Sequence, residues 1–178
     1  MVYDPCEDTY LIWKKLEQYA HGDVLDMGTG TGILACEAAR YVNHVLAVDI
    51  DPKAILYCQE RIKNTKIEFR YSDLFSKIHK DEKFDLIIFN PPYLPADERE
   101  DKESAIATTG GKYGWEIIEN FLKEVRSYMK KNAKILMVFS SLTNKEKVDS
   151  LLEENGFKYK MLARQRVAFE SLYLYLIW

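Results

Sequence analysis

The segment FDLIIFNPPYLPADERE places a polar amide, two prolines and a tyrosine directly after an apolar strand. Prolines at this point end the strand and exclude a helix, so the turn is rigid and extended. The side-chain carbonyl of Asn90 and the main-chain carbonyl of Pro91 can accept both N–H groups of one planar NH2. Pro92 stiffens the turn, and Tyr93 offers a flat face on which a planar amide or base can stack. We therefore predict that this turn holds a planar NH2 group.

A glycine-rich turn lies between the first predicted strand and its helix, in VLDMGTGTG. Gly28, Gly30 and Gly32 allow the main chain to approach a ligand closely, although a tight turn at this place also needs glycine for structural reasons. The spacing GxGxG differs from the GxGxxG of dinucleotide-binding turns. Asp26, which precedes the turn, would repel a pyrophosphate but would accept a hydrogen bond from an ammonium group. The turn therefore favours a cofactor with an amino-acid end over NAD.

Two further acids follow the next two predicted strands. Asp49 ends the second strand in LAVDID and can accept both hydroxyls of a ribose, a feature that NAD and S-adenosylmethionine enzymes share. Asp73 follows the third strand in YSDLF and can accept the exocyclic amine of adenine, with Leu74 packed on the ring. Asp73 alone is also compatible with the N-cap of a helix.

The four motifs VLDMGTGTG, AVDID, YSDLF and NPPY occur in this order along the chain. In this order they resemble a class I S-adenosylmethionine-dependent methyltransferase. More narrowly, they resemble the family that methylates the glutamine of the GGQ tripeptide in translation release factors. The opening VYDPCEDTYLI and the later segment TGGKYGWEIIENFL are similar to the archaeal and eukaryotic branch of this family. The resemblance covers essentially the whole chain.

The resemblance implies a set of site residues and a cofactor, S-adenosylmethionine, with S-adenosylhomocysteine as the product. The cofactor-binding residues would be Thr9, Asp26, Gly28, Thr29, Gly30, Gly32, Asp49, Ile50, Asp73, Leu74 and Asn90. Asn90, Pro91 and Tyr93 would be catalytic, and the same turn, with Pro92, would bind the substrate. No strong general base is expected, because transfer would depend on positioning and on dipoles aimed at the developing charge. Without the resemblance, Thr9 would be assigned to capping the first helix.

The elements that must position these motifs alternate between strands and helices. Strands are predicted in DVLDMG, HVLAVDI, KIEFRYS, KFDLIIFN and AKILMVFSS, and a long amphipathic helix is predicted in GWEIIENFLKEVRSYMKK. The last two strands, FKYKMLARQR and ESLYLYLIW, have no helix between them. Alternation predicts a parallel sheet covered on both faces. We predict an α/β fold, a three-layer doubly wound Rossmann-like sandwich of about seven strands, mostly parallel with a C-terminal antiparallel pair at one edge.

Length and composition favour a single methyltransferase domain over residues 1–178, whose N-terminal segment 1–22 contributes to the cofactor site. The chain is 47% hydrophobic and 30% charged, which excludes disorder, and its net charge of -3 shows no basic footprint for nucleic acid. We find no signal peptide or membrane span and predict a cytoplasmic protein. Cys6, Cys36 and Cys58 form no CxxC pair and do not cluster with histidines, so neither a disulfide framework nor a bound metal is predicted.

The identity of the methylated NH2 group stays open at this stage, because adenine-N6 methyltransferases of DNA or RNA use closely similar motifs. Nucleic-acid enzymes need a basic groove, whereas NPPY is followed by ADEREDKES. The acids of this run are Asp97, Glu98, Glu100, Asp101 and Glu103. The run is compatible with a solvated loop, but at a substrate mouth it would oppose nucleic acid. A lysine acceptor and a non-catalytic methyltransferase-like subunit are further alternatives, and the intact Asn90 and Asp49 argue against the second.

The third predicted strand, KIEFRYS, alternates apolar and charged residues, as an edge strand with one solvated face does. The charges alone could serve to block edge pairing. The resemblance implies instead a small zinc-binding activator protein that extends the sheet at this edge through main-chain hydrogen bonds. We therefore predict a heterodimer that acts on a translation release factor. Replacing Phe69 with Asp is expected to weaken this complex without affecting the NPPY turn.

Overall fold

A computed structural model describes residues 6–97, 99 and 102–178, without the side chains of residues 102–104. The α-helices in these ranges are α1 (Glu7–Tyr19), α2 (Ile33–Ala38), α3 (Pro52–Arg61), α4 (Lys102–Thr108), α5 (Glu116–Val125) and α6 (Lys145–Glu154). The strands are β1 (Asp23–Met27), β2 (His44–Asp49), β3 (Ile67–Tyr71), β4 (Phe84–Phe89), β5 (Met129–Ser140), β6 (Tyr159–Arg166) and β7 (Ser171–Ile177). No helix of the described ranges has the length and apolar character needed to cross a bilayer.

The seven strands form one sheet in the order β3-β2-β1-β4-β5-β7-β6. The pairs from β3 to β5 are parallel, whereas β7 is antiparallel to both β5 and β6. The predicted fold class and the C-terminal antiparallel pair are confirmed. The chain order reverses on either side of β1, and this switch between β1 and β4 is where ligands bind in doubly wound sheets.

Helices cover both faces of the sheet, so neighbouring residues of each central strand enter opposite cores. In β1, Leu25 belongs to the core covered by α5 and α6, and Val24 belongs to the core covered by α1 and α2. Ile87 and Ile88 of β4 divide in the same way. Burial on both faces explains why these strands are continuous apolar runs in the sequence.

The helix predicted over GWEIIENFLKEVRSYMKK is shorter than expected, and its last residues belong to β5. Helix α5 ends at Val125, and β5 begins at Met129, which pairs with Phe84 of β4. Lys130 forms ion pairs with Asp23 at 2.5 Å and Asp85 at 2.7 Å, which fix this segment beside β1 and β4. Tertiary contacts therefore override a helix-favouring sequence here. Helix α4 was not predicted.

Candidate active site

A cavity of about 580 Å³ opens at the carboxyl ends of β1, β2 and β4. Its walls include Gly28–Thr31, Asp49–Asp51, Ser72–Leu74 and Asn90–Leu94, which are segments of the four motifs. Carboxyl ends of neighbouring parallel strands share one edge of the sheet, so the fold brings these motifs together. The structure therefore places the predicted cofactor and acceptor residues around one space, with the exception of Asp26 and Gly32.

The glycine-rich turn is anchored to β2 by main-chain hydrogen bonds. The N–H groups of Gly28 and Thr29 donate to the carbonyl of Val48 at 2.8 and 2.9 Å. Gly28 adopts a φ of 74°, in the left-handed region that glycine tolerates. The N–H of Gly30 donates to Asp49 Oδ2 at 2.8 Å. Burial raises the pKa of Asp49. Hydrogen bonds from backbone N–H groups act in the opposite direction and offset part of this increase. Asp49 therefore fixes the turn and places carboxylate oxygens at the cavity wall.

Two of the predicted cofactor residues, Asp26 and Gly32, lie behind the cavity wall and not in it. Asp26 is 1% exposed, and its Oδ2 accepts a hydrogen bond from the Thr29 hydroxyl at 2.7 Å. Burial raises the pKa of Asp26 from 3.8 to about 7. Gly32 adopts a φ of 79°, in the left-handed region, and a Cβ atom there would lie 2.6 Å from Cδ1 of Ile62, so the turn favours glycine at this position. Both residues can act on a ligand only through the turn that they support.

The far wall on the cofactor side is formed by Asp73, Leu74 and Ile50. No helix begins at Asp73 in the described chain, and a turn follows it, so the N-cap alternative for Asp73 does not apply. Leu74 adopts a φ of 43°. Ile50 is 47% exposed and offers an apolar surface in the wall.

The amide of Asn90 is oriented by helix α1. Its Nδ2 donates to Thr9 Oγ1 at 3.3 Å, whereas its Oδ1 is buried and has no hydrogen-bond partner among the described residues. Thr9 lies inside α1, whose N-cap is Cys6, so the capping role for Thr9 is wrong. Within the described ranges, no hydrogen bond to the Pro91 carbonyl is found either. Both acceptors expected to hold a planar NH2 are therefore available.

Tyr93 is held by Asp8, a residue that the sequence analysis missed. The Tyr93 hydroxyl donates to Asp8 Oδ2 at 3.0 Å, and Asp8 is 3% exposed. Burial raises the pKa of Tyr93, and the carboxylates of Asp8 and Glu170 add to the shift. Asp8 lies on the buried side of α1 with Ile12 and Leu16. An acid at the start of an apolar helical stripe was the signal that could have identified it.

The glycines of TGGKYG allow the loop after α4 to pack directly on the NPPY turn. The N–H of Gly110 donates to the carbonyl of Leu94 at 2.9 Å. A Cβ atom at Gly110 would lie 2.7 Å from the Pro92 carbonyl oxygen, and one at Gly114 would lie 2.6 Å from that of Tyr93. Any larger residue would displace the turn, so these glycines position the carbonyl groups around the cavity.

The charged residues that line the cavity are all acids: Glu7, Asp8, Asp49, Asp51, Asp73 and Glu170. Among the residues that the structure describes, no Lys, Arg or His is part of the wall. Such a wall favours a cation and disfavours a phosphate backbone. Glu170 and the adjoining Val167 and Leu172 come from β7 and the turn before it, and nothing in their sequence indicated a place in the site.

The acidic run after NPPY is only partly described. Glu98, Glu100 and Asp101 lie outside the described residues, as does the side chain of Glu103. Asp97 pairs with Arg99 at 2.7 Å and is not part of the cavity wall. No group of three potential metal-ligating side chains occurs in the described part of the chain.

Strand β3 lies at the edge of the sheet opposite β6, and among the described residues it pairs only with β2. Ile67 and Phe69 face the core covered by α1 and α2, whereas Arg70 on the other face bonds to Glu68 and Glu82 at 2.6 and 2.8 Å. The predicted edge position is confirmed. The ring of Phe69 reaches the glycine-rich turn, since a Cβ atom at Gly32 would lie 3.5 Å from it.

Comparisons with known proteins agree with this geometry. Residues 6–169 match the family described as the methyltransferase small domain. A Methanocaldococcus jannaschii protein, named provisionally as a protein N5-glutamine methyltransferase, is 39% identical over 99% of this chain and 91% of its own length. The human methyltransferase HEMK2 is 25% identical over 96% of this chain and 86% of its own. The solved Mtq2-Trm112 complex of E. cuniculi, described as responsible for methylation of the eRF1 translation termination factor, superposes with a TM-score of 0.78 at 24% identity, over 98% of this chain and 96% of that one.

Proposed function

Because the chain belongs to the methyltransferase small domain family, we propose that it methylates the side-chain amide nitrogen of the GGQ glutamine in a translation release factor. S-adenosylmethionine, the cofactor that the family implies, supplies a methyl group on a positively charged sulfonium. The observation that carries the proposal is the buried, unpartnered Oδ1 of Asn90 in the cavity wall. A buried carbonyl oxygen without a donor costs about 1–3 kcal/mol, and a bound N–H group would remove that cost.

The residues at the cofactor end fit a ligand with two positive charges. Acids, with no basic residue in the described wall, suit the sulfonium and ammonium groups of S-adenosylmethionine. Asp49 would hold the ribose hydroxyls, and Asp73 with Leu74 and Ile50 would hold the adenine. The close turn of Gly28–Gly30 leaves room for the amino-acid end. Asp26 would act from beneath this turn, through Thr29.

At the acceptor end, Asn90 Oδ1 and the Pro91 carbonyl would each accept one N–H of the glutamine amide. Two fixed acceptors orient the nitrogen lone pair and stabilise the positive charge that develops on nitrogen. Thr9 fixes the Asn90 amide through its 3.3 Å hydrogen bond, and Asp8 fixes Tyr93. Helix α1 therefore presets the acceptors before substrate binds, and little ordering is needed on binding.

The decisive experiment is incubation with radiolabelled S-adenosylmethionine and a candidate release factor, followed by mass mapping of the modified residue. The proposal predicts one methyl group on the glutamine of GGQ. The controls are a release factor with Asn in place of that glutamine, which is expected to yield no label, and the Asn90→Ala enzyme, which is expected to label far more slowly. Label on an adenine of DNA or RNA, or on a lysine, with an unmodified release factor would contradict the proposal.

We also propose that the edge of β3 binds a small zinc-binding partner protein. The E. cuniculi relative is described as a complex with Trm112, and no strand in the described ranges pairs with the outer edge of β3. Leu56 of α3, one turn before Gln59, is 56% exposed, and the Gln59 side chain reaches the Phe69 carbonyl of β3 at 3.3 Å. Tyr71, at the end of β3, is 46% exposed. Exposed apolar residues beside an open edge are typical of strand-addition sites.

Phe69→Asp is not a clean test of this surface, because the Phe69 ring packs against the core behind the glycine-rich turn. Leu56→Asp and Tyr71→Asp are better probes, since both side chains are exposed. Met161→Asp on β6 is the matched control, because Met161 is 49% exposed on the opposite edge. In co-purification with a Trm112-type protein, the first two variants should lose the partner and the control should retain it. Equal retention by all three would exclude this edge.

A further inference from the structure

The turn between β6 and β7 places a carboxylate in the cavity wall at a fixed position. Glu170 Oε2 is buried and has no hydrogen-bond partner in the part of the chain that the structure describes. The N–H of Val167 donates to the Glu170 carbonyl at 3.0 Å, which closes the turn. The N–H of Ser171 donates to Ser141 Oγ at 3.0 Å, which attaches the turn to the end of β5. The main chain that carries Glu170 is therefore held on both sides.

This carboxylate lies close to the acceptor end of the site. It acts electrostatically on Tyr93, whose hydroxyl is bound by Asp8. Its neighbours in the wall, Val167 and Leu172, are apolar and supply no hydrogen-bond donor from their side chains. A carboxylate oxygen in such a place loses water without gaining a protein donor. Native proteins retain few groups of this kind, and they concentrate at functional sites.

We propose that Glu170 is a substrate-positioning residue, whose Oε2 accepts an N–H of the bound polypeptide beside the reactive side chain. This assignment rests on the proposed function. The two acceptors of the NPPY turn already match the two N–H groups of the reactive amide, so a third acceptor calls for a separate donor. Main-chain N–H groups are the donors that every polypeptide segment supplies. A third fixed contact would set the direction in which the substrate enters and the depth of its side chain.

The test compares wild type with Glu170→Gln, which keeps the shape and removes the charge. Glu124→Gln on α5 is the matched control, because Glu124 is exposed and is not part of the cavity wall. For Glu170→Gln, kcat/KM for the release factor should fall about 5- to 10-fold, because Gln keeps an acceptor oxygen but makes a neutral hydrogen bond in place of a charged one. The cofactor Kd, from calorimetry, should stay within about twofold, because Glu170 contacts the polypeptide. The Tm should be unchanged, since Oε2 of Glu170 has no hydrogen bond to lose within the described part of the chain.

Binding of the release factor in the presence of S-adenosylhomocysteine gives a readout without turnover, and Glu170→Gln should weaken it by the same factor. If Glu170→Gln and Glu124→Gln both match wild type in kcat/KM and in this binding, the assignment is overturned and the proposed function stands. A parallel loss of Tm and cofactor affinity would also overturn it, because the role would then be structural. A wild-type protein that neither binds nor modifies the release factor would refute the proposed function, and this assignment with it.

Discussion

Replacing Tyr93 with Phe removes the hydroxyl that joins the NPPY turn to helix α1 and keeps the aromatic ring in place. The lost hydrogen bond is made to Asp8 Oδ2 at 3.0 Å, and Asp8 is 3% exposed, so bulk water does not replace the donor. A hydrogen bond to a charged group contributes about 1.5–3 kcal/mol. We expect the free energy of unfolding to fall by that amount, with a decrease in Tm of about 2–4 °C for each kcal/mol.

A double-mutant cycle of Tyr93→Phe and Asp8→Ala, measured by urea unfolding at pH 7.5, isolates the contact. Their coupling energy should be about 1.5–3 kcal/mol, because each change removes one side of the same hydrogen bond. Tyr10→Phe is the control, since Tyr10 lies on the same helix and is 46% exposed, and its effect should stay within about 0.5 kcal/mol. A coupling energy below about 0.5 kcal/mol would refute the view that this hydrogen bond ties α1 to the turn.

Three other substitutions test separate parts of the site. Asn90→Ala should lower turnover on the release factor by about 100-fold, the effect of losing one preorganised dipole, with a much smaller change in the cofactor Kd from calorimetry. Near-normal turnover would leave NPPY as a structural turn only. Asp49→Ala should weaken cofactor binding about 10- to 100-fold in the same assay, because it removes a half-buried acceptor that also anchors Gly30, and wild-type affinity would contradict the cofactor assignment. Asp26→Asn should stabilise the cofactor-free protein more at pH 8 than at pH 5. The pKa of Asp26 is about 7 in the folded protein, compared with the ordinary value of 3.8 that applies to the unfolded chain. Between these two pH values the folded wild type keeps a proton on Asp26 that the unfolded chain has lost, so its stability falls as the pH rises towards 7. At about 1.4 kcal/mol for each pH unit, the difference in urea unfolding should grow by about 2–3 kcal/mol from pH 5 to pH 8, and a constant difference would argue against a raised pKa.

Most of the fold could be predicted from the sequence, because the buried central strands are continuous apolar runs and the helices after β1, β2 and β5 have legible sequence patterns. The motif residues met in one cavity for a topological reason, since each follows the carboxyl end of a strand. Local pattern was misleading at Met129–Lys131, where ion pairs of Lys130 with β1 and β4 outweigh the helical spacing. Sequence reasoning works where local preference and tertiary contact agree.

The residues of the site that sequence reasoning missed are those brought in from distant parts of the chain. Asp8 reaches Tyr93 across 85 positions and Glu170 enters from the hairpin of β6 and β7. Neither residue belongs to a strand end that carries a motif. Conversely, Gly32 and Asp26 belong to a motif yet lie behind the wall. A motif therefore locates a site reliably. It is less reliable in showing which of its residues contact the ligand and which only support those that do.

Strand β7 follows β6 along the chain but lies inside the sheet, between β5 and β6, with all seven of its residues buried. During synthesis, one edge of β5 therefore stays without a neighbouring strand until residue 177 has left the ribosome. A nascent chain in this state exposes one unpaired edge of β5, which is the kind of surface that chaperones bind. Glu170 and Leu172 take their places in the cavity wall only when β7 inserts. Shortened translation products that end before β7 would therefore lack Glu170 and Leu172 in the cavity wall and would leave β5 without its antiparallel neighbour.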